Sequence, residues 1–235
     1  MQLFYTPEID LTASSFILDE AESKHAVKVL RLTTGDKINL VDGKGTFFEA
    51  EITLAHAKKC ELRILSSTKE TDSKSTIHIA IAPTKNNERL EWFVEKATEI
   101  GIAEITPLIC QRSERKILKT DRLEKTAIAA MKQSIKATLP QINEPVTFKD
   151  FIKTTPKQPN LFIAHCLDNQ EKHLSQLCVR NKPTIVLIGP EGDFTKEEID
   201  LAIKNQFKPI SLGKSRLRTE TAGIVACHTI NLLNE

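Results

Sequence analysis

Five apolar or β-branched residues in a row, Thr184-Ile185-Val186-Leu187-Ile188, stop abruptly at Gly189-Pro190-Glu191-Gly192-Asp193-Phe194. A run of this kind closed by glycine and proline predicts a buried strand ending in a tight turn. Thr195-Lys196-Glu197-Glu198 follows, with glutamate three residues after threonine, the pattern of a capping box. A helix carrying Ile199, Ala202 and Ile203 starts there. Pro209-Ile210-Ser211-Leu212 predicts a second strand, halted by Gly213, and the loop Lys214–Arg218 feeds a final helix opening at Thr219-Glu220-Thr221-Ala222-Gly223. Two glycine-bearing loops are thus expected to leave neighbouring parallel strands on one edge, where open α/β sheets bind ligands.

Upstream the same alternation holds. Strands are predicted over Thr76–Ala82, Glu104–Cys110 and Leu161–Ala164, and helices over Asn87–Ile100, Asp121–Thr138 and near Glu171–Val179. Gly101 is placed to end the first of these helices. With the two strands above, five strands alternate with helices, which predicts a mainly parallel sheet. Residues 1–70 read differently. Leu3–Tyr5, Lys37–Val41, Thr46–Leu54 and Cys60–Leu65 are short strand candidates with one helix near Asp19–Leu30, the pattern of a small β-barrel. The polar stretch Ser66–Ser75 reads as a linker, so the domains are predicted as 1–70 and 71–235.

Composition narrows the class. A hydrophobic fraction of 40% and a charged fraction of 27% suit a water-soluble globular protein. No apolar run approaches a membrane span and the first residues lack a signal pattern, so a cytoplasmic protein without membrane contact is expected. Cys60, Cys110, Cys166, Cys178 and Cys227 are scattered without ligand spacing; the reading is reduced core cysteines and no metal site. Net charge is only +2. Between Cys110 and Lys136, however, eight basic residues (Arg112, Arg115, Lys116, Lys119, Arg122, Lys125, Lys132 and Lys136) face three acidic ones. Such a stripe is either a solvated helix face or a track for phosphates.

The glycine loops lack both G-x-x-x-x-G-K-[ST] and G-x-G-x-x-G, so they do not read as phosphate cradles. Backbone exposed at Gly189 and Gly213 suits an adenine or a ribose better.

Ile188-Gly189-Pro190-Glu191-Gly192, Ser211-Leu212-Gly213 and Leu217-Arg218-Thr219-Glu220-Thr221-Ala222 closely resemble the 16S ribosomal RNA uracil-N3 methyltransferases, members of the SPOUT or α/β-knot superfamily. The likeness extends to Arg89–Trp92, Lys96–Gly101 and His25–Leu32. It departs at Asp193, where a second glycine is expected, and at Ile135-Lys136, where many relatives have Gly-Arg. The resemblance implies a C-terminal trefoil knot, an N-terminal PUA-like RNA-binding barrel, S-adenosylmethionine as cofactor, 16S rRNA in the small ribosomal subunit as partner, and a homodimer. Sequence physics alone would draw an unknotted sheet.

By the same resemblance, His165, Ile188, Gly189, Pro190, Gly192, Ser211, Leu212, Gly213, Leu217, Thr219 and Ala222 would hold the cofactor. His25, Arg31, Arg112, Arg115, Lys116, Lys132 and Lys136 would contact RNA. Uracil N3 carries a proton, so methylation there needs a proton acceptor or stabilisation of charge on the ring oxygens. Glu191, Arg218 and Glu220 are the ionisable residues of the motif loops and the catalytic candidates. Glu220 could instead cap the last helix, with Arg218 as its partner. The alternatives are a non-catalytic RNA-binding knot protein and a SPOUT methyltransferase of another RNA.

Overall fold

The computed structural model describes residues 2–70, 75–157, 160–166 and 171–235. The chain divides into two compact units, one comprising Met1–Ser73 with Met131–Leu139 and the other Lys74–Ala130 with Pro140–Glu235.

In the first unit, β1 (Leu3–Tyr5), β2 (Ser15–Ile17), β3 (Lys37–Val41), β4 (Thr46–Leu54) and β5 (Glu61–Lys69) form one curled sheet in the order β1-β3-β4-β5-β2. Every second residue of β4 is buried from Thr46 to Ile52, the period of a strand with one face on a core. That core gathers Phe4, Leu18, Ala26, Leu40, Phe48 and Leu62. Helix α1 (Glu20–Lys24) is capped by Asp19, whose carboxylate accepts from Glu22 N at 2.7 Å. It passes into a π-helical turn, His25–Val29, and Arg31 follows in the left-handed region at φ 57°, beyond the helix.

The polar stretch read as a linker departs from that reading. Ser66–Lys69 are paired to Thr46–Glu49 as the end of β5. Their side chains are exposed, so polarity costs nothing there while the backbone ladder is satisfied. The remaining linker residues 71–74 lie outside the described residues.

The second unit is built on parallel strands: β6 (Ile77–Ile81), β7 (Glu104–Ile109), β8 (Gln141–Ile142), β9 (Val146–Thr147), β10 (Asn160–Ala164), β11 (Thr184–Ile188) and β12 (Lys208–Ile210). The order is β12-β10-β11-β6-β7-β8, with β9 also on β7. The helices are α2 (Asn87–Ile100), α3 (Asp121–Gln133), α4 (Phe148–Thr154), α5 (Leu174–Leu177), α6 (Lys196–Lys204) and α7 (Thr219–Asn234). All five residues of β11 are buried, as strands covered on both faces require. Gly101 ends α2 at φ 115°, and the Thr195/Glu198 capping box opens α6 with both hydrogen bonds made.

One expectation is corrected. Strands β11 and β12 are not neighbours, because β10 lies between them and pairs with both. Strand order is set by crossover paths, which local patterning does not encode.

Helix α3 also ends before Thr138. Ile135 takes φ 54° and Lys136 N donates to Met131 O at 3.1 Å, a left-handed helix stop. The chain then returns to the first unit, where Met131 and Ala137 are buried with Leu3 and Val41. Leu139 N donates there to Gly43 O at 2.9 Å.

Cys60, Cys110 and Cys227 are buried as core cysteines would be, but Cys166 is exposed and Cys178 half-buried. Among the described residues no helix is long and apolar enough to cross a membrane.

Candidate active site

Parallel pairing brings three strand ends abreast. Ala164 of β10 stands opposite both Ile188 of β11 and Ile210 of β12. His165, Gly189 and Ser211, the residues that follow, therefore leave the sheet side by side. Of the residues expected to hold a cofactor, His165, Ile188, Gly189, Pro190, Gly192, Ser211, Leu212 and Gly213 lie on these three strand ends or in the loops that follow them. Leu217, Thr219 and Ala222 belong to the approach and first turn of α7.

The two glycines do different things. A Cβ on Gly189 would sit 3.1 Å from the Phe194 ring, a tight contact, so the loop's own packing favours glycine here. Gly213 has φ 120° and nothing within 4 Å of its Cβ position. That open space beside bare backbone fits close approach by a flat ligand. The turn is held by Ser211, whose Oγ accepts from Gly213 N at 3.1 Å.

Asp193 explains its own departure from the glycine pattern. It adopts φ 61°, which aspartate tolerates better than most side chains. Its Oδ2 accepts from Cys166 N at 2.9 Å and its Oδ1 from Phe194 N at 2.7 Å. The carboxylate thus ties the β10 loop to the β11 loop, a link that glycine cannot make. Partial desolvation and the Asp193 charge push the Cys166 thiol up. His165 is half-buried as a residue, with its side chain only 4% exposed and Nε2 3.3 Å from Glu171 Oε1.

The β11 loop is tied to the last helix by Thr219, whose Oγ1 donates to Gly189 O at 3.0 Å. Arg218 is the N-cap residue of α7 and makes no side-chain cap. With Arg216, Leu217 and Glu220 it lines a groove of ≈ 700 Å³, whose other wall is Asn86, Glu88, Arg89 and Trp92 from the start of α2. Glu220 is buried, at 6% exposure. Its Oε1 lies 3.9 Å from Arg89 Nε, and its Oε2 has no hydrogen-bond partner. It does not cap its own helix.

Glu191 is exposed and accepts from Lys85 N at 3.1 Å through Oε1, which positions the segment leading to Asn86.

The residues expected to contact RNA divide in the same way. Arg112 Nη1 donates to Gly192 O at 2.9 Å and braces the β11 loop, while Arg115 Nη2 donates to Lys85 O at 2.9 Å in the segment between β6 and α2. Lys132 pairs with Glu22 at 2.6 Å and stands over the Phe4 ring. Lys116, His25 and Arg31 are exposed, and Lys136 is half-buried. Asn86, Arg89, Trp92 and Arg216 carried no role in the sequence reading. The one available signal was Arg89 and Trp92 at i, i+3 on a helix whose apolar positions are Leu90, Phe93 and Val94.

The family model described as an RNA methyltransferase domain matches residues 71–231, and the RNA methyltransferase PUA domain matches residues 18–65. Ribosomal RNA small subunit methyltransferase E of Rickettsia conorii is 34% identical over 214 residues, spanning 89% of this chain and 86% of the relative. The crystal structure of a probable rRNA-methyltransferase from Porphyromonas gingivalis shares 40% identity at a TM-score of 0.92, covering 100% of this chain and 98% of that one. The methyltransferase E of Neisseria gonorrhoeae, solved bound to S-adenosyl methionine, matches at a TM-score of 0.89 with 26% identity, covering 100% and 98%.

Proposed function

The chain belongs to the ribosomal RNA small subunit methyltransferase E family, and from that premise we propose that it methylates N3 of a uridine in 16S rRNA of the small ribosomal subunit, with S-adenosylmethionine as donor. The observation that carries this reading is the Thr219–Gly189 hydrogen bond. It fastens the strand-end loops, where a cofactor would lie, to the turn that presents Arg218 and Glu220 in the groove.

S-adenosylmethionine supplies an electrophilic methyl group on a sulfonium. The chain's residues supply the rest. Gly213, Ser211 and Leu212 on one side, and Gly189, Pro190 and Gly192 on the other, offer backbone for the adenosine portion, with Ile188, Leu217, Thr219 and Ala222 lining it and His165 between them. Glu220 Oε2 accepts the proton from uracil N3, which turns a poor nucleophile into a nitrogen with a free pair. Arg218 balances the charge that spreads onto the ring oxygens. Glu191 positions the Lys85–Arg89 segment rather than reacting.

The proposed assembly is a homodimer of a trefoil-knotted SPOUT unit joined to a PUA-like barrel. Helix α7 packs on α2, β6 and β11 of the same unit. Leu232 on α7, 59% exposed, suits a covered helix face. RNA affinity is assigned to His25, Arg31, Lys116 and Lys136, with Arg112, Arg115 and Lys132 chiefly bracing the structure.

The test is methyl transfer from labelled cofactor to unmodified small subunits, followed by mass mapping of the modified nucleotide. 3-Methyluridine at one position is expected. Cofactor binding with label in another nucleotide, or in none, overturns the reading. Arg218→Ala should lower the single-turnover rate at saturating RNA and cofactor about a hundredfold. Loss of RNA affinity with an unchanged rate would make Arg218 a phosphate clamp.

A further inference from the structure

We propose that the groove between α2 and the start of α7 reads the imide edge of uracil, with Trp92 as its stacking wall and Glu220 as the acceptor that selects uridine over cytidine. This rests on the uridine reading above and specifies how the base is recognised.

The groove, ≈ 700 Å³, has the size of a site for a nucleotide-scale ligand. Its one deeply buried polar side chain is Glu220, whose Oε2 lacks a partner. An ionised carboxylate only accepts hydrogen bonds, and a buried orphan acceptor calls for a donor. Arg89, whose Nε stands 3.9 Å from Glu220 Oε1, and Arg218, which lines the same groove, only donate. A buried acceptor in a groove that also carries guanidinium donors is the complement of a donor flanked by acceptors.

Among the four bases, uracil alone has that order: O4 accepts, N3–H donates and O2 accepts. Cytosine and adenine turn a ring-nitrogen lone pair toward the carboxylate. Guanine offers a ring N–H but turns an amino donor toward one guanidinium. The groove's chemistry therefore favours uracil before any sequence context is read.

Trp92 completes the wall. It is the chain's one tryptophan, 43% exposed, on the turn of α2 that follows Arg89. An indole beside a nucleotide-sized groove offers a stacking face, the contact by which single-stranded bases are commonly held.

Because Trp92 is the single tryptophan, its fluorescence reports the groove directly. The intact protein is titrated with uridine, cytidine and 3-methyluridine 5′-monophosphates. Saturable quenching by the uridine nucleotide is expected, about tenfold tighter than by the other two. Glu220→Gln should erase most of that preference, since an amide can donate as well as accept. Arg89→Met should weaken uridine binding while leaving circular dichroism unchanged; if the Gln variant fails to fold, this variant and the wild-type series decide. Equal quenching by uridine and cytidine nucleotides overturns the proposal. So does a Trp92 signal that follows protein concentration and ignores nucleotide, which would mean that a second copy covers the groove. Methyl transfer to small subunits without uridine selectivity refutes this inference alone. Selective quenching without methyl transfer refutes the functional reading and leaves the uracil site standing.

Discussion

Gly223 lies in the first turns of α7, three residues after Glu220, and its replacement by alanine tests how that helix is seated. In an open helix Gly→Ala stabilises by about 0.8–1.0 kcal/mol. Here the added Cβ would stand 2.6 and 2.8 Å from Phe93 Cε2 and Cδ2 and 3.0 Å from Ile81 Cδ1. Carbon contacts are best at about 3.5–4.0 Å, so the ring would have to retreat by roughly 1 Å. Phe93 and Ile81 are both 0% exposed, so any retreat is into neighbouring core side chains rather than solvent. Overpacking of this kind costs about 1–3 kcal/mol, so the balance is destabilising by about 1 kcal/mol, a fall of a few degrees in Tm. Gly223→Val gains less from propensity and adds two methyls, and should cost about twice as much. Urea unfolding of the single variants and of Gly223→Ala with Phe93→Leu forms a double-mutant cycle. The smaller leucine should absorb the alanine, giving a favourable coupling of about 1 kcal/mol. Gly223→Ala that stabilises the protein, or a cycle with no coupling, would refute the argument that Phe93 dictates glycine.

Three further outcomes follow from the site. Asp193→Gly relieves the φ of 61° but removes the acceptor for Cys166 N and Phe194 N, so stability should stay within about 1 kcal/mol while calorimetry shows weaker S-adenosylmethionine binding; unchanged affinity would mean the tie between the two loops is irrelevant. Burial holds His78 below its ordinary value of 6.5, partly offset by Glu104. The unfolded chain then takes the proton first, so this contribution is full above pH 6.5 and is lost as pH falls toward the folded pKa; His78→Gln should flatten that limb of the urea midpoint against pH, and an unaltered limb would exclude His78 as its source. Lys116→Ala should reduce the slope of log affinity against log salt by about 0.7–0.9 without changing Tm, whereas Arg112→Ala should lower Tm by freeing the Gly192 carbonyl; identical behaviour of the two would remove the distinction between RNA contact and loop brace.

Much of this was legible in local chemistry. The β11 strand, the capping box at Thr195 and Glu198, the glycine stop at Gly101 and helix α2 all appear where the sequence puts them, because each depends on residues within a few positions of one another. The motif around Leu217–Ala222 likewise identified the methyltransferase family from a contiguous string.

Features whose partners lie far along the chain were not legible. Nothing local places β10 between β11 and β12, or turns Ser66–Lys69 into a strand, since both depend on backbone partners supplied by other segments. Ile135 ends α3 against its β-branched preference, with its neighbours Met131 and Ala137 buried beside Leu3 and Val41. The basic stripe looks uniform in sequence, yet Arg112 bonds Gly192 eighty residues away while Lys116 is exposed. Hydrophobic period, caps and turn residues act through neighbours within a turn or two, and the sequence by itself determines them. Which guanidinium braces a loop, and which buried carboxylate oxygen is left without a hydrogen bond, is decided by which distant segments the closed fold brings together.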